Sequence, residues 1–127
     1  MKIENIKFKA KRLDNAEWVK GYFYQECGNT YIIEDRQDES MLNCNHPYRV
    51  DPSTVCQFTG FRDYNGNEIW EHDLIHFVGF THTAEVIWSE CNYAFMVVSE
   101  KKHSYWLHDV IKVCRIERVG NKFDKEK

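Results

Sequence analysis

The sequence predicts a mainly β protein, and three observations carry that prediction. Aromatic residues make up 15% of the chain, a share suited to pleated, half-buried sheet surfaces. Residues 6 to 12 alternate with period two, Ile6, Phe8 and Ala10 falling on one face and Lys7, Lys9 and Lys11 on the other. Short apolar runs bounded by turn-forming residues then recur along the chain, and Asn65-Gly66 is the strongest of these turn signals. The expected architecture is an amino-terminal meander followed by a small SH3-like β-barrel in the second half.

Taken in order, the alternating strand ends at Arg12 and Leu13 to Glu17 reads as a turn. Trp18 to Tyr24 and Tyr31 to Ile33 read as two strands joined through Cys27-Gly28-Asn29-Thr30, completing the meander. Glu34 to Glu39 is acidic and poorly patterned, as a surface loop would be. From Ser40 to Pro52 periodicity is lost, which marks a boundary between lobes, and Pro52 favours an extended Tyr48-Arg49-Val50 before it. The 127 residues thus fit one domain with two lobes, 1–50 and 51–120, and a tail over 121–127.

The second lobe opens with a hairpin. Asn65-Gly66 suits a two-residue type I′ turn, which needs positive φ at both central positions. Glu71-His72-Asp73 then interrupts the apolar pattern as a tight corner before Leu74 resumes it. Leu74 to Phe80, Ala84 to Trp88, Tyr93 to Val98 and Val110 to Ile116 read as further strands, with Ser89 to Asn92 and Glu100 to Ser104 as connections. Tyr105 to Lys112 also admits a short helical turn.

Composition excludes several functional classes. No apolar run reaches the roughly 20 residues of a membrane helix, and no charged-then-apolar leader opens the chain, so a soluble cytoplasmic protein is expected, with no membrane partner. The five cysteines, at 27, 44, 56, 91 and 114, are odd in number and form no Cys-x-x-Cys pair, which fits reduced thiols in a cytosol. A net charge of −3 argues against a general phosphate-backbone binder.

Family likeness enters at the central run. Thr54 to Phe61 follows a Thr-Val-Gly-Gln-Phe-Thr-Gly-Leu pattern, and Asp63 to Ile75 follows Asp-Lys-Asn-Gly-Lys-Glu-Ile-Tyr-Glu-Gly-Asp-Ile-Val. In this the chain resembles the YopX family, small proteins of bacteriophages, prophages and related mobile elements. Ile6 to Arg12, Trp18 to Phe23 and Ile116 to Asn121 extend the resemblance to most of the chain. Cys56 and His72 stand where the pattern has glycine, and a residue held in the left-handed region costs about 1–2 kcal/mol. The resemblance implies a β-rich fold and a mobile-element origin; it carries no catalytic residue or cofactor to these positions.

Candidate sites are few. The first twelve residues hold five basic groups against one acidic, and Lys7, Lys9, Lys11 and Arg12 are the candidate contact for nucleic acid or an acidic partner, weighed against a solvated strand face that protects a sheet edge. Asn65, Gly66, His72 and Asp73 are assigned as structural turn residues. His72, Asp73, His76 and His82, or Cys44 and His46 with Cys27 or Cys56, could be imagined around a metal, but neither set has a recognised ligand spacing, so no metal or other cofactor is expected. No nucleophile is paired in sequence with a base, and there is no glycine-rich phosphate cradle, so no catalytic residue is assigned. The expected function is a non-enzymatic interaction or assembly module, able to self-associate or to bind a host or phage protein, with a nucleic-acid-binding accessory protein as the alternative.

Overall fold

The computed structural model describes residues 5–34, 47–79, 83–100 and 103–124, and these are mainly β. The chain divides into two compact units, Met1–Gln57 and Phe58–Lys127.

The first unit is the expected meander. Strands β1 (Phe8–Lys11), β2 (Trp18–Glu26), β3 (Asn29–Glu34) and β4 (Pro47–Val50) lie antiparallel in the order β4-β3-β2-β1. The start of β5 (Cys56–Arg62) adds to β1, through the pairs Phe8 with Gln57 and Lys9 with Cys56. Strand alternation puts Ala10, Val19, Ile32 and Val50 into one buried cluster, with Phe8, Tyr48 and Val55 packed on it. The β2–β3 connection is tighter than expected: Asn29 and Thr30 are already in the strand, and Cys27 and Gly28 both take positive φ, 54° and 81°. That is the two-residue type I′ geometry. At Gly21 in mid-strand, a Cβ would meet the Ile33 carbonyl oxygen at 1.9 Å, so β2 and β3 approach too closely there for any side chain.

The division falls inside β5 rather than in the 40–52 stretch. The reason lies in what those residues touch. Val50 belongs to the first unit's core, the Asp51 N–H donates to the Lys11 carbonyl at 2.9 Å, and the Lys11 N–H donates to Thr54 Oγ1 at 2.9 Å. A 3-10 turn at Pro52–Thr54, capped by the Asp51 side chain, then delivers Cys56 beside β1.

The second unit holds the β5–β6 hairpin and a five-stranded antiparallel sheet. Strand β6 (Glu68–Trp70) precedes β7 (Asp73–Phe77), β8 (Thr83–Ser89), β9 (Ala94–Ser99), β10 (Ser104–Trp106), the helix α1 (Leu107–Val113) and β11 (Ile116–Asn121). The sheet order is β10-β9-β8-β7-β11. Its core is Ile69, Ile75, Ala84, Val86, Val97, Leu107, Val110 and Ile116, with Phe61, Phe77, Phe95 and Ile111 against it.

Three expectations for this unit need correction. Among the described residues the sheet is open, because β10 and β11 stand at its two ends and do not pair with each other; Leu107 and Val110 of α1 fill the core there. Residues 110–116 are not one strand: Leu107, Val110 and Ile111 recur at helical spacing, so the chain stays helical to Val113 before β11 begins. The Asn65-Gly66 turn is not type I′, since only Gly66 has positive φ, at 89°. Asp63 captures the turn instead. Its carboxylate accepts the N–H groups of Asn65 and Asn67 at 2.9 and 2.8 Å, and its carbonyl accepts the Gly66 N–H at 3.0 Å, leaving Gly66 alone to supply the left-handed residue.

Candidate functional site

The residues at the central corner are committed to holding the backbone. His72 sits at φ 70°, the left-handed conformation that the glycine of the pattern would adopt freely. Its N–H donates to the Val86 carbonyl of β8 at 2.7 Å and its carbonyl accepts the N–H of Lys122, just past β11, at 2.9 Å, so the bend is fixed from both sides. Asp73 is fully buried. One oxygen accepts the Trp70 N–H at 2.7 Å and Arg118 Nε at 2.8 Å, and the other accepts Asn121 Nδ2 at 2.8 Å.

Asp63 is the second buried carboxylate. Besides the turn N–H groups it accepts the Arg118 N–H at 2.8 Å and the Asn67 side-chain amide at 3.2 Å. Burial alone would push this carboxyl up, but the donors from Arg118, Asn67 and Asn65 together outweigh it and hold the group below the usual carboxylate range. Both carboxylates therefore act as anchors for β11 and the hairpin.

The basic amino-terminal strand is placed differently from expectation. Lys9 is 4% exposed, with its Nζ 4.5 Å from the centre of the Trp18 ring, and Lys11 Nζ lies 5.6 Å from the same ring. Arg12 pairs with Asp14 at 2.6 Å and stacks 4.4 Å from the Tyr48 ring centre. The bond to Asp14 raises the Arg12 guanidinium pKa and lowers that of the Asp14 carboxyl. Only Lys7 and Lys11 of the strand's lysines keep partial exposure. The simple two-face alternation fails at Lys9 because β1 is an inner strand, paired with β2 and β5, and Trp18 covers that face.

Potential ligand and nucleophile residues are dispersed. His72 Nδ1 lies 2.9 Å from Glu85 Oε2, and His76 Nδ1 lies 3.4 Å from Glu117 Oε2. Among the described residues no three of His, Cys, Asp and Glu gather as a metal-holding group. His82, Cys44 and His46 lie outside the described residues. Cys27, Cys91 and Cys114 are exposed free thiols, and Cys56 is buried.

Two surface features of the second unit stand out, and neither was singled out by sequence. The first is an aromatic rim along β8, β9 and β10. Trp88 meets Phe95 edge-to-face at 5.1 Å, and the register puts Tyr105 opposite Val97, on the same sheet face as Phe95. Trp106 sits on the opposite face, 5.5 Å from His108, and Tyr93 projects from the β8–β9 connection. Tyr93 is 75% exposed, Tyr105 48%, and Trp88 and Trp106 38% each. The second is a cleft of about 460 Å³ lined by Arg62, Tyr64, Lys112, Val113 and Arg115, floored by Asp63. A sequence signal existed for the rim, in the density of Tyr and Trp between 88 and 106. The cleft had none, because Arg62 is brought to Lys112 and Arg115 only by the fold.

No described helix is long and apolar enough to cross a membrane. The fold and these sites define a class: a small, mainly β protein of two antiparallel units, with a glycine-like corner and buried carboxylates locking its second unit. Within that class the chain belongs to the YopX family, whose model, described as YopX protein, matches residues 1–126. No curated protein matches it.

Proposed function

We propose that this protein is a non-enzymatic assembly module of a phage or related mobile element, acting in the bacterial cytoplasm and self-associating through the aromatic rim of its second unit. The observation that carries this reading is the exposure of Tyr93, Trp88, Tyr105 and Trp106 along β8, β9 and the edge strand β10, with Trp88 and Tyr105 on one sheet face and Trp106 on the other. Tyr and Trp are enriched in the cores of protein interfaces, where they bury large area at low entropic cost. Other aromatics of this chain, such as Trp70, are already fully used in its own core.

The distribution of polar groups supports the same reading. Asp63 and Asp73, the buried carboxylates, have their oxygens filled by N–H donors, which leaves them unsuited to proton transfer. The second unit also reads as an SH3-like module despite its open ladder. A four-strand meander from β7 to β10, then a helical turn, then β11 returning beside β7, is the strand order that such a barrel would use. The mobile-element setting is what family membership suggests.

The test is the combined variant Tyr93→Ser, Tyr105→Ser and Trp106→Ser, compared with the parent protein by sedimentation velocity. All three side chains are exposed, so the variant should keep its circular dichroism spectrum and sediment as a monomer. An unchanged oligomer in the variant would rule the rim out as the contact.

A further inference from the structure

We infer that the cleft beside the β5–β6 turn is a binding site for single-stranded nucleic acid, a role separate from assembly through the aromatic rim. Three cations line it, Arg62, Lys112 and Arg115, and its one acidic residue, Asp63, is 6% exposed and occupied by N–H donors from Asn65, Asn67 and Arg118. In a chain of net charge −3, this is a concentration of positive charge against the overall balance. Lys112 and Arg115 are both exposed and form no ion pair among the described residues; Arg62 meets Glu68 only at 3.5 Å, on the surface. An exposed pair of that length contributes little to holding the side chain.

The cleft also carries a stacking platform, which separates a nucleotide ligand from a merely acidic one. Tyr64 is 52% exposed, and the guanidinium of Arg115 lies 6.0 Å from its ring centre. The backbone that carries the ring is fixed: the Tyr64 N–H donates to the Ile116 carbonyl at 3.2 Å, and the carboxylate of the preceding residue, Asp63, accepts the Arg118 N–H at 2.8 Å. An exposed aromatic ring in a cleft lined by two guanidinium groups and an ammonium is what base stacking and phosphate neutralisation together require. A volume of about 460 Å³ falls in the range of small-ligand pockets, enough for a nucleotide or two rather than a duplex. The carbonyl end of α1 at Val113 gives no anion site of its own, so the attraction comes from the side chains.

The amino-terminal strand is the internal control. Lys9 is buried under Trp18 and Arg12 is tied to Asp14, so that strand offers only Lys7 and Lys11. The experiment is fluorescence anisotropy of a labelled single-stranded oligonucleotide against the whole protein over a salt series, with an acidic peptide, polyglutamate, as competitor. The expected result is binding at low salt whose log K falls against log salt with a slope of about −2, for three neutralised phosphates on a single strand. Lys112→Glu with Arg115→Glu should weaken binding at least tenfold, and Tyr64→Ala about tenfold, while Lys7→Glu with Lys11→Glu should leave it within about twofold. Thermal unfolding of each variant verifies that the fold is kept. Absence of binding at low salt, binding that survives the double charge reversal, or polyglutamate competing as well as the oligonucleotide would each overturn the assignment.

Discussion

His72 carries the left-handed bend between β6 and β7 at φ 70°, in the place where the family pattern has glycine. Replacing it by glycine relieves about 1 kcal/mol of backbone strain but gives up the Glu85 contact and adds chain entropy to the unfolded state, terms of the same size. His72→Gly should therefore change stability by less than about 1 kcal/mol, whereas His72→Val, β-branched in that conformation, should cost about 2 kcal/mol or more in urea unfolding. Asp63 supplies a pH-dependent term. Its folded pKa lies below the unfolded value, so its stabilisation is complete above about pH 4 and is lost as pH falls through the depressed folded value. Asp63→Asn should be less stable than the parent at pH 7, and the gap should close below about pH 4. A gap independent of pH would mean that the carboxylate charge is not what the turn uses.

At the scale of elements, two devices decide the sheets. Close approach of β2 to β3 at Gly21 leaves no room for a Cβ, so Gly21→Ala should force the ladder apart and abolish protection of the β2 and β3 amides in hydrogen exchange. The corner, hairpin and β11 depend on Asp73, which satisfies Trp70, Arg118 and Asn121 at once. Asp73→Ala would leave a partly buried guanidinium and a buried N–H unpaired, and should cost about 3–5 kcal/mol in denaturant unfolding.

These elements also explain what could be read in advance. The meander, the corner at 71–73 and most strands of the second unit follow from local period and turn chemistry, which are properties of neighbouring residues. Lys9 and the turn at Asp63 were not legible in that way. Lys9 is buried because Trp18 on the next strand covers it, and Asp63 overrides the Asn65-Gly66 preference because the N–H of Arg118, 55 residues away, also binds its carboxylate. The helix at Leu107–Val113 prevailed over a strand because Leu107 and Val110 complete the core from that conformation.

At the scale of the whole molecule, the conspicuous side chains fall into two groups. Buried carboxylates and histidines in contact with carboxylates hold the second unit's own backbone and strands, while Trp88, Tyr93, Tyr105 and Trp106 along β8 to β10 are exposed. A net charge of only −3 offers little long-range repulsion between copies, so the rim can meet another copy of itself without a large electrostatic penalty. The positive cleft shares no lining residue with that rim and differs from it in chemistry, which is why charge reversal at Lys112 and Arg115 should leave self-association unchanged.

The most direct test of the assembly reading is the absolute mass of the unmodified protein by light scattering across a dilution series. Self-association through the rim predicts a mass at a whole-number multiple of 15.3 kDa that falls toward the monomer only on dilution. A mass of 15.3 kDa at every concentration would contradict it.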